Sequence, residues 1–262
     1  MPQIGLGTWP LGDHEVEKAV VRAVAAGYRL FDTAHMYANE KGVGHGLRAS
    51  GLAREELFVT TKLSAHSHGY DEAQQAYATS ARRLDVDYID LFLIHWPLPW
   101  LDRYVKAWRG LAKLLADGLV RAIGVSNFKP AHLDRVISET GVVPDVNQIQ
   151  VSPYTIREVT RAYDAEHDIV TQSWSPIGLG GQLLSEPAIT EIAARHGKSP
   201  AQVVLRWHVE LGLSAVPKSA NPERMAANID IFDFALGGDE IAAISALDRG
   251  ESHADDSDQT GN

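Results

Sequence analysis

The spacing of apolar residues changes back and forth along the chain between the periods of strands and helices. Residues Ile89–Ile94 form an almost unbroken apolar run, as expected for a strand that is buried on both faces. The segment from Asp71 to Leu84 instead repeats small and apolar residues at the helical period. About eight such strand–helix units follow one another without an obvious linker, which predicts a parallel sheet with helices outside it.

About eight units in roughly 250 residues predict an α/β fold, a single (β/α)8 TIM barrel over residues 1–250. An open doubly wound sheet is the alternative, and it would normally carry a glycine-rich phosphate turn after its first strand. The first strand here leads into Trp9-Pro10-Leu11-Gly12, which is no such turn. Gly42-Val43-Gly44-His45-Gly46 resembles a fragment of such a turn but has the wrong spacing, and we interpret it as the glycine-relaxed start of a helix. Residues 251–262 are expected to form a polar, mobile tail.

The chain has 34 acidic and 24 basic residues, and its net charge of -10 argues against non-specific nucleic-acid binding. It contains no cysteine, which excludes disulfides, thiol catalysis and cysteine-ligated metals. No signal peptide is visible, and the apolar runs are shorter than the roughly 20 residues that a membrane helix needs. We therefore expect a cytoplasmic protein without membrane or nucleic-acid partners. His66-Ser67-His68 is interpreted as a solvated loop and not as a metal site.

Polar side chains follow the second, third and fourth predicted strands at the points where these strands end. Asp32 and Tyr37 follow the second strand, Lys62 closes the third, and His95 closes the fourth. Active groups in a closed barrel come from the C-terminal ends of several strands. We therefore expect these four side chains to meet at one mouth of the barrel.

The four residue types suit proton transfer to an oxygen. A tyrosine has an ordinary pKa of about 10 and gives up its proton reluctantly near neutrality. The ammonium of Lys62 would lower the pKa of Tyr37, and Asp32 would keep Lys62 charged. His95 can donate a hydrogen bond to a carbonyl oxygen and orient it. Taken alone, Asp32 and Lys62 would be interpreted as a structural ion pair, but together the four groups suit carbonyl protonation as hydride arrives at the adjacent carbon.

Several segments resemble the signature segments of the aldo-keto reductases, and they occur in the order expected for that family. They are Asp32-Thr33-Ala34-x-x-Tyr37, Thr60-Thr61-Lys62-Leu63, Leu93-Ile94-His95-Trp96-Pro97, Gly124-Val125-Ser126-Asn127-Phe128, Val146-Asn147-Gln148-Ile149 and Val216-Pro217-Lys218-Ser219. The resemblance covers essentially the whole chain and is greatest to bacterial members of the 2,5-diketogluconate reductase type. The N-terminal hairpin usual in the family is expected to be absent or very short.

This resemblance implies a monomeric, NADPH-dependent oxidoreductase that reduces the carbonyl of aldehydes and ketones. Small dicarbonyls, keto-sugars and aromatic aldehydes are the substrate classes that it suggests. Tyr37 would be the general acid, supported by Lys62, Asp32 and His95. The alternative is a regulatory or redox-sensing protein that binds the cofactor with little turnover, and a third possibility is a barrel lyase or isomerase that needs no nicotinamide.

Aromatic residues beside these segments are expected to form the substrate pocket. Trp9 and Trp96 would line it together with Tyr37 and His95, whereas Trp100 fits pocket lining and plain packing equally well.

The resemblance also implies that NADPH binds in an extended conformation without a Rossmann domain. The carboxamide would be held by Ser126, Asn127 and Gln148, the nicotinamide would stack on Trp174, and the pyrophosphate would lie under the loop of Ser175, Pro176, Ile177, Gly178 and Leu179. The 2′-phosphate would bind Lys218, Ser219 and Arg224, and the adenine Asn228. Independently of the resemblance, two cations that flank the start of a helix favour a phosphate there, and thus NADPH over NADH.

Overall fold

The barrel predicted from the sequence is confirmed by a computed structural model, which describes residues 1–178 and 181–261. Within these residues, eight parallel strands pair in chain order. They are β1 (Gly5–Gly7), β2 (Leu30–Asp32), β3 (Phe58–Leu63), β4 (Ile89–Ile94), β5 (Val120–Ser126), β6 (Val146–Gln150), β7 (Val170–Trp174) and β8 (Ser214–Ala215). Parallel bridges from Ile4 to Ala215 and from Gly7 to Lys218 join the last strand to the first, so the sheet closes.

Helices surround the sheet, as the alternating pattern predicts. The described ranges contain ten α-helices, namely α1 (Asp13–Ala25), α2 (Glu40–Ala49), α3 (Tyr70–Leu84), α4 (Tyr104–Ala116), α5 (Pro130–Thr140), α6 (Glu158–Glu166), α7 (Pro187–His196), α8 (Pro200–Glu210), α9 (Pro222–Ile229) and α10 (Gly238–Ser245). Helix α1 illustrates the packing, because Val16, Val20 and Val24 lie one turn apart and are buried. No helix in the described part of the chain is long and apolar enough to span a membrane.

Apolar side chains close the bottom of the barrel. Leu91, Leu93 and Val146 are buried and form a small cluster, against which Phe58 and Ala122 pack. These residues lie on β3 to β6, below the polar residues that end the strands. Because the lower interior is filled, the polar side chains at the C-terminal ends of the strands face a cavity at the opposite mouth.

Gly42 and Gly44 lie in the first half of α2, near the helix start interpreted from the sequence, whereas Gly46 lies in the second half. The structure adds a packing reason for Gly42 and Gly44. A Cβ atom on Gly42 would lie 2.1 Å from the carbonyl oxygen of Asp13 in α1. A Cβ atom on Gly44 would lie 2.1 Å from the carbonyl oxygen of Leu84 at the end of α3. Helix α2 therefore approaches the backbones of both neighbours more closely than any side chain would allow.

The C-terminal tail makes specific contacts, contrary to the expectation that it is mobile. Lys129 Nζ donates to Asp256 and to Asp258 at 2.5 Å each, and His132 Nε2 lies 2.9 Å from Asp258. Ser257, between the two acids, is buried. The composition of the tail gave no sign of these contacts because its partners lie more than a hundred residues earlier in the chain.

Candidate active site

The structure brings the four predicted catalytic side chains together at the mouth of the barrel. Asp32 ends β2, Tyr37 follows it in the short turn His35–Tyr37, Lys62 is the penultimate residue of β3, and His95 directly follows β4. Lys62 is fully buried. Its Nζ donates to both carboxylate oxygens of Asp32 at 2.8 Å and lies 3.5 Å from the Tyr37 hydroxyl oxygen.

The protonation states of these groups follow from burial and from their charged neighbours. Burial acts to lower the pKa of Lys62, but Asp32 and Tyr37 raise it, and the net pKa lies above its ordinary value. Burial raises the pKa of Tyr37 and outweighs the opposing effect of the Lys62 ammonium. The net shift of Tyr37 is therefore opposite to the one expected from the ammonium alone. At neutral pH, Lys62 carries a positive charge and Tyr37 holds its proton.

His95 completes this group as a neutral imidazole. Burial, assisted by the positive charge of Lys62, lowers the pKa of His95 to about 3. Its ring meets the Tyr37 ring edge-on, with centroids 5.7 Å apart. Nδ1 is buried without a hydrogen-bond partner among the described residues, and the ring lines the cavity at the mouth. A neutral imidazole here keeps an N–H available for an oxygen that enters the cavity.

The mouth cavity has a volume of about 530 Å³ and is lined by three of the four predicted catalytic residues together with several aromatic residues. Trp9, Trp96 and Trp174 line it, as do Asp32, Tyr37 and His95. Trp9 is 58% exposed and forms part of the rim. Trp100 is 53% exposed and is not among the described residues that line this cavity. Its position therefore fits neither of the two roles expected for it, pocket lining and plain packing.

The three residues expected to hold a carboxamide lie beside the four predicted catalytic residues and are hydrogen-bonded to them or to one another. Gln148 Nε2 donates to Asp32 Oδ1 at 2.8 Å, and Asn127 Nδ2 donates to the backbone oxygen of His95 at 3.1 Å. Ser126 Oγ donates to the backbone oxygen of Gln148 at 2.8 Å. Gln148 Oε1 accepts no hydrogen bond within the described ranges, so this cavity-lining amide keeps an acceptor for an amide donor.

Trp174 and the loop after it connect the mouth cavity to a second one. The indole Nε1 donates to Asn127 Oδ1 at 2.8 Å, which fixes the orientation of the ring. Ser175 adopts a left-handed backbone, with φ of 49°, and its carbonyl accepts from the Gly178 N–H at 3.0 Å. Ser175 lines both cavities. Leu179, also expected in this loop, lies outside the described residues.

The second cavity, of about 610 Å³, contains the residues that were expected to bind the adenosine 2′-phosphate and adenine. Among its lining residues are Pro176, Ile177, Lys218, Ser219, Arg224 and Asn228. Lys218 and Arg224 are exposed, and neither forms an ion pair with a carboxylate in the described part of the chain. The nearby Lys198, in contrast, is paired with Asp230 and Asp233.

The N-terminus of α9 lies at this second cavity. Asn221 caps the helix by accepting from the Arg224 backbone N–H at 2.9 Å, and Ser219 Oγ accepts from the Asn221 N–H at 3.2 Å. A helix N-terminus with two unpaired cations attracts a phosphate group. Two cavities that meet at Ser175, with proton-donor chemistry in one and cations in the other, fit an extended phosphorylated dinucleotide.

Two residues near the site were not singled out in the sequence. Gln172 accepts from Gln148 Nε2 at 2.6 Å and so holds the amide that contacts Asp32. Its position in β7, two residues before Trp174, was a usable signal, because alternate residues of a strand share a face. Asp255 lines the mouth cavity, and nothing in the polar tail indicated it.

Comparison with known proteins identifies the class. The model of the aldo/keto reductase family matches residues 3–249. The methylglyoxal reductase DkgA of Escherichia coli K12 is 45% identical over 262 residues, which is 100% of this chain and 94% of that protein. An aldo-keto reductase of Mycolicibacterium smegmatis is 47% identical over 251 residues, covering 96% of this chain and 91% of that protein.

Solved structures agree with this assignment. The apo crystal structure of Gox0644 has a TM-score of 0.96 and 45% identity, and covers 100% of this chain and 95% of the other. A variant of Gox0644 in complex with NADPH has a TM-score of 0.95 at 44% identity, with the same coverage of both chains. The chain therefore belongs to the aldo/keto reductase family, and the resemblance inferred from its sequence is confirmed.

Proposed function

We propose that this aldo-keto reductase uses NADPH to reduce small aldehydes and ketones to alcohols, with Tyr37 as the proton donor. The observation that carries the proposal is the contact of the Lys62 ammonium with both Asp32 and the Tyr37 hydroxyl at the floor of the mouth cavity. Two relatives support the proposal, because DkgA is named a methylglyoxal reductase and a Gox0644 variant was solved with NADPH.

Each residue of the group has a distinct task in this mechanism. The neutral imidazole of His95 donates a hydrogen bond to the substrate oxygen and orients the carbonyl. As negative charge develops on that oxygen, the Tyr37 hydroxyl transfers its proton to it. Lys62 stabilises the phenolate that remains, and Asp32 keeps Lys62 charged in a buried position. NADPH, when bound, supplies the hydride that reaches the carbonyl carbon.

The cofactor is proposed to lie across both cavities. Gln148 offers Oε1 to the carboxamide, and the fixed Trp174 ring offers an apolar face to the nicotinamide. Ser126 and Asn127 act beside them, largely by holding Gln148 and Trp174 in place through their own hydrogen bonds. The loop that begins with Ser175, Pro176, Ile177 and Gly178 would cover the pyrophosphate. The remaining contacts, to the adenosine end, would come from Lys218, Ser219, Arg224 and Asn228.

A small dicarbonyl is the substrate class that best fits the mouth cavity, with aromatic aldehydes and keto-sugars as further candidates. Trp9 and Trp96 supply apolar surface at its rim, and His95 and Tyr37 supply the polar contacts at its floor. We also propose that the protein is a cytoplasmic monomer without nucleic-acid or membrane partners. One chain supplies every residue of the proposed site, and NADPH-dependent reduction needs a compartment that contains this cofactor.

Oxidation of NADPH in the presence of methylglyoxal and an aldehyde panel tests the proposed activity. Tyr37→Phe should lower kcat by about 10³-fold, because the proton donor is lost, and should leave NADPH affinity nearly unchanged. Tyr163→Phe is the matched control, since among the described residues its hydroxyl donates to Asp134 alone, on the outside of the barrel. Turnover retained in Tyr37→Phe would refute the role of Tyr37, and NADPH binding without any turnover would favour the regulatory or redox-sensing alternative.

A further inference from the structure

At the floor of the mouth cavity the acidic side chain is paired with a cation, whereas at its edge an acidic side chain is not. Two acidic residues, Asp32 and Asp255, line this cavity, and no lysine or arginine is among its described lining residues. Asp32 is neutralised by Lys62. Asp255 has no ion-pair partner in the parts of the chain that the structure describes, and its side chain is exposed. The cavity therefore presents one uncompensated negative charge to an entering substrate.

Contacts of the neighbouring tail residues hold Asp255 at the cavity. The backbone N–H of Asp255 donates to Gln150 Oε1 at 3.0 Å, at the end of β6. The following acids, Asp256 and Asp258, are both bound by Lys129. Three acidic residues of one short segment thus have different surroundings, since two pair with a cation and Asp255 does not.

We propose that Asp255 is a specificity-determining residue that selects against carbonyl substrates carrying a carboxylate, so that neutral aldehydes and dicarbonyls are preferred. The inference rests on the proposed reductase function and adds the charge class of its substrate. A carboxylate that enters the cavity meets the negative charge of Asp255 and finds no free cation in the described lining to offset it. Like charges several ångströms apart in a partly solvated cavity repel enough to change binding several-fold, and salt screens this repulsion.

Two aromatic aldehydes of similar size, one anionic and one uncharged, test this inference. We would measure kcat/KM with NADPH for 4-carboxybenzaldehyde and 4-nitrobenzaldehyde, and express the result as the ratio of the first to the second. Asp255→Asn should raise this ratio by about three- to tenfold, and the gain should shrink at high ionic strength. Asp255→Glu keeps the charge and should keep the wild-type ratio.

Asp239→Asn is the control for net charge, because Asp239 is exposed in the first turn of α10, away from the mouth cavity. An unchanged ratio in Asp255→Asn, or an equal rise in Asp239→Asn, would overturn the inference while leaving the reductase function intact. If neither aldehyde is reduced by the wild-type protein, the proposed function fails. The charge selection is then tested by measuring the binding of benzoate and benzamide to the NADPH-bound protein through quenching of tryptophan fluorescence. Asp255→Asn should bind benzoate more tightly than the wild-type protein does, with no change for benzamide. Equal affinities of the two proteins for benzoate would overturn the inference.

Discussion

The two ends of the proposed cofactor groove use charge in opposite ways. At the proposed catalytic end, Lys62 is fully buried and makes three hydrogen bonds to Asp32 and the Thr33 carbonyl at 3.0 Å or less. At the far end, Lys218 and Arg224 are exposed and form no ion pair within the described residues. Chemistry requires groups that are oriented before the substrate arrives, whereas phosphate capture requires cations whose partner is the ligand itself.

This difference has an energetic reason. A buried ion pair loses hydration, and its members are retained only if each satisfies the other. Removing one member leaves an uncompensated charge in the interior. Exposed cations lose little hydration and therefore cost the fold little, but salt screens their attraction for a phosphate. Mutations at the two ends should thus differ in what they change, with stability and turnover affected at one end and cofactor choice at the other.

The largest effect is expected for Lys62→Met. It leaves Asp32 buried without its ammonium and removes the positive charge that favours the Tyr37 phenolate. We expect the free energy of unfolding to fall by about 3–5 kcal/mol and kcat by about 10³-fold. Urea denaturation and steady-state assays measure the two changes. Lys106→Met, an exposed position on α4, is the control, and equal losses in both variants would contradict the contrast between buried and exposed charge.

The double variant Lys218→Ala/Arg224→Ala tests the other end of the groove. The dissociation constant of NADPH should rise by about 10- to 100-fold, because two charged hydrogen-bond donors to the 2′-phosphate are lost. NADH lacks that phosphate and should bind almost as before, and the unfolding free energy should change little. Fluorescence titration with each cofactor measures the two dissociation constants. An equal weakening of NADPH and NADH would remove the 2′-phosphate assignment.

A smaller effect is expected in the tail, which combines exposure with ion pairing. Lys129→Met removes the cation that binds Asp256 and Asp258, whereas Lys129→Arg preserves the charge. Backbone amides of residues 251–261 should exchange hydrogen faster in the first variant only, with a change of a few-fold in kcat/KM. Unaltered exchange in Lys129→Met would mean that the remaining contacts, including the one between His132 and Asp258, suffice to hold the tail.

The smallest effect is expected from a change of pH on kcat/KM. Burial raises the pKa of Tyr37 above its ordinary value, so its proton is present at all lower pH values and is lost only as pH rises through that raised pKa. The pKa of His95 is about 3, so its imidazole stays neutral until pH falls towards that value. We therefore expect kcat/KM for reduction to be flat between about pH 5 and 9. An inflection near 6.5 would mean that His95 titrates as an exposed histidine does.

Much of this arrangement was determined by the sequence alone. The periodicity of apolar residues predicts the strands and helices, and the barrel then follows from their number and alternation. Asp32, Lys62 and His95 stand at strand ends, and a closed parallel barrel places all such ends at one mouth. Topology therefore converts positions far apart in the chain into neighbours. The family resemblance, carried by ordered segments, predicted the same group, and the family is confirmed.

Only the tertiary structure decided the quantities that depend on burial and on contacts distant in sequence. The net pKa shift of Tyr37 required the depth of its burial to be weighed against Lys62, and a pattern of residues does not contain that depth. The hydrogen bond from Gln148 to Asp32 joins residues 116 positions apart. Asp255 reaches the mouth cavity because contacts of the tail with Gln150 and Lys129 hold it there. Local spacing sets which residues end a strand, but only the folded chain sets what surrounds them.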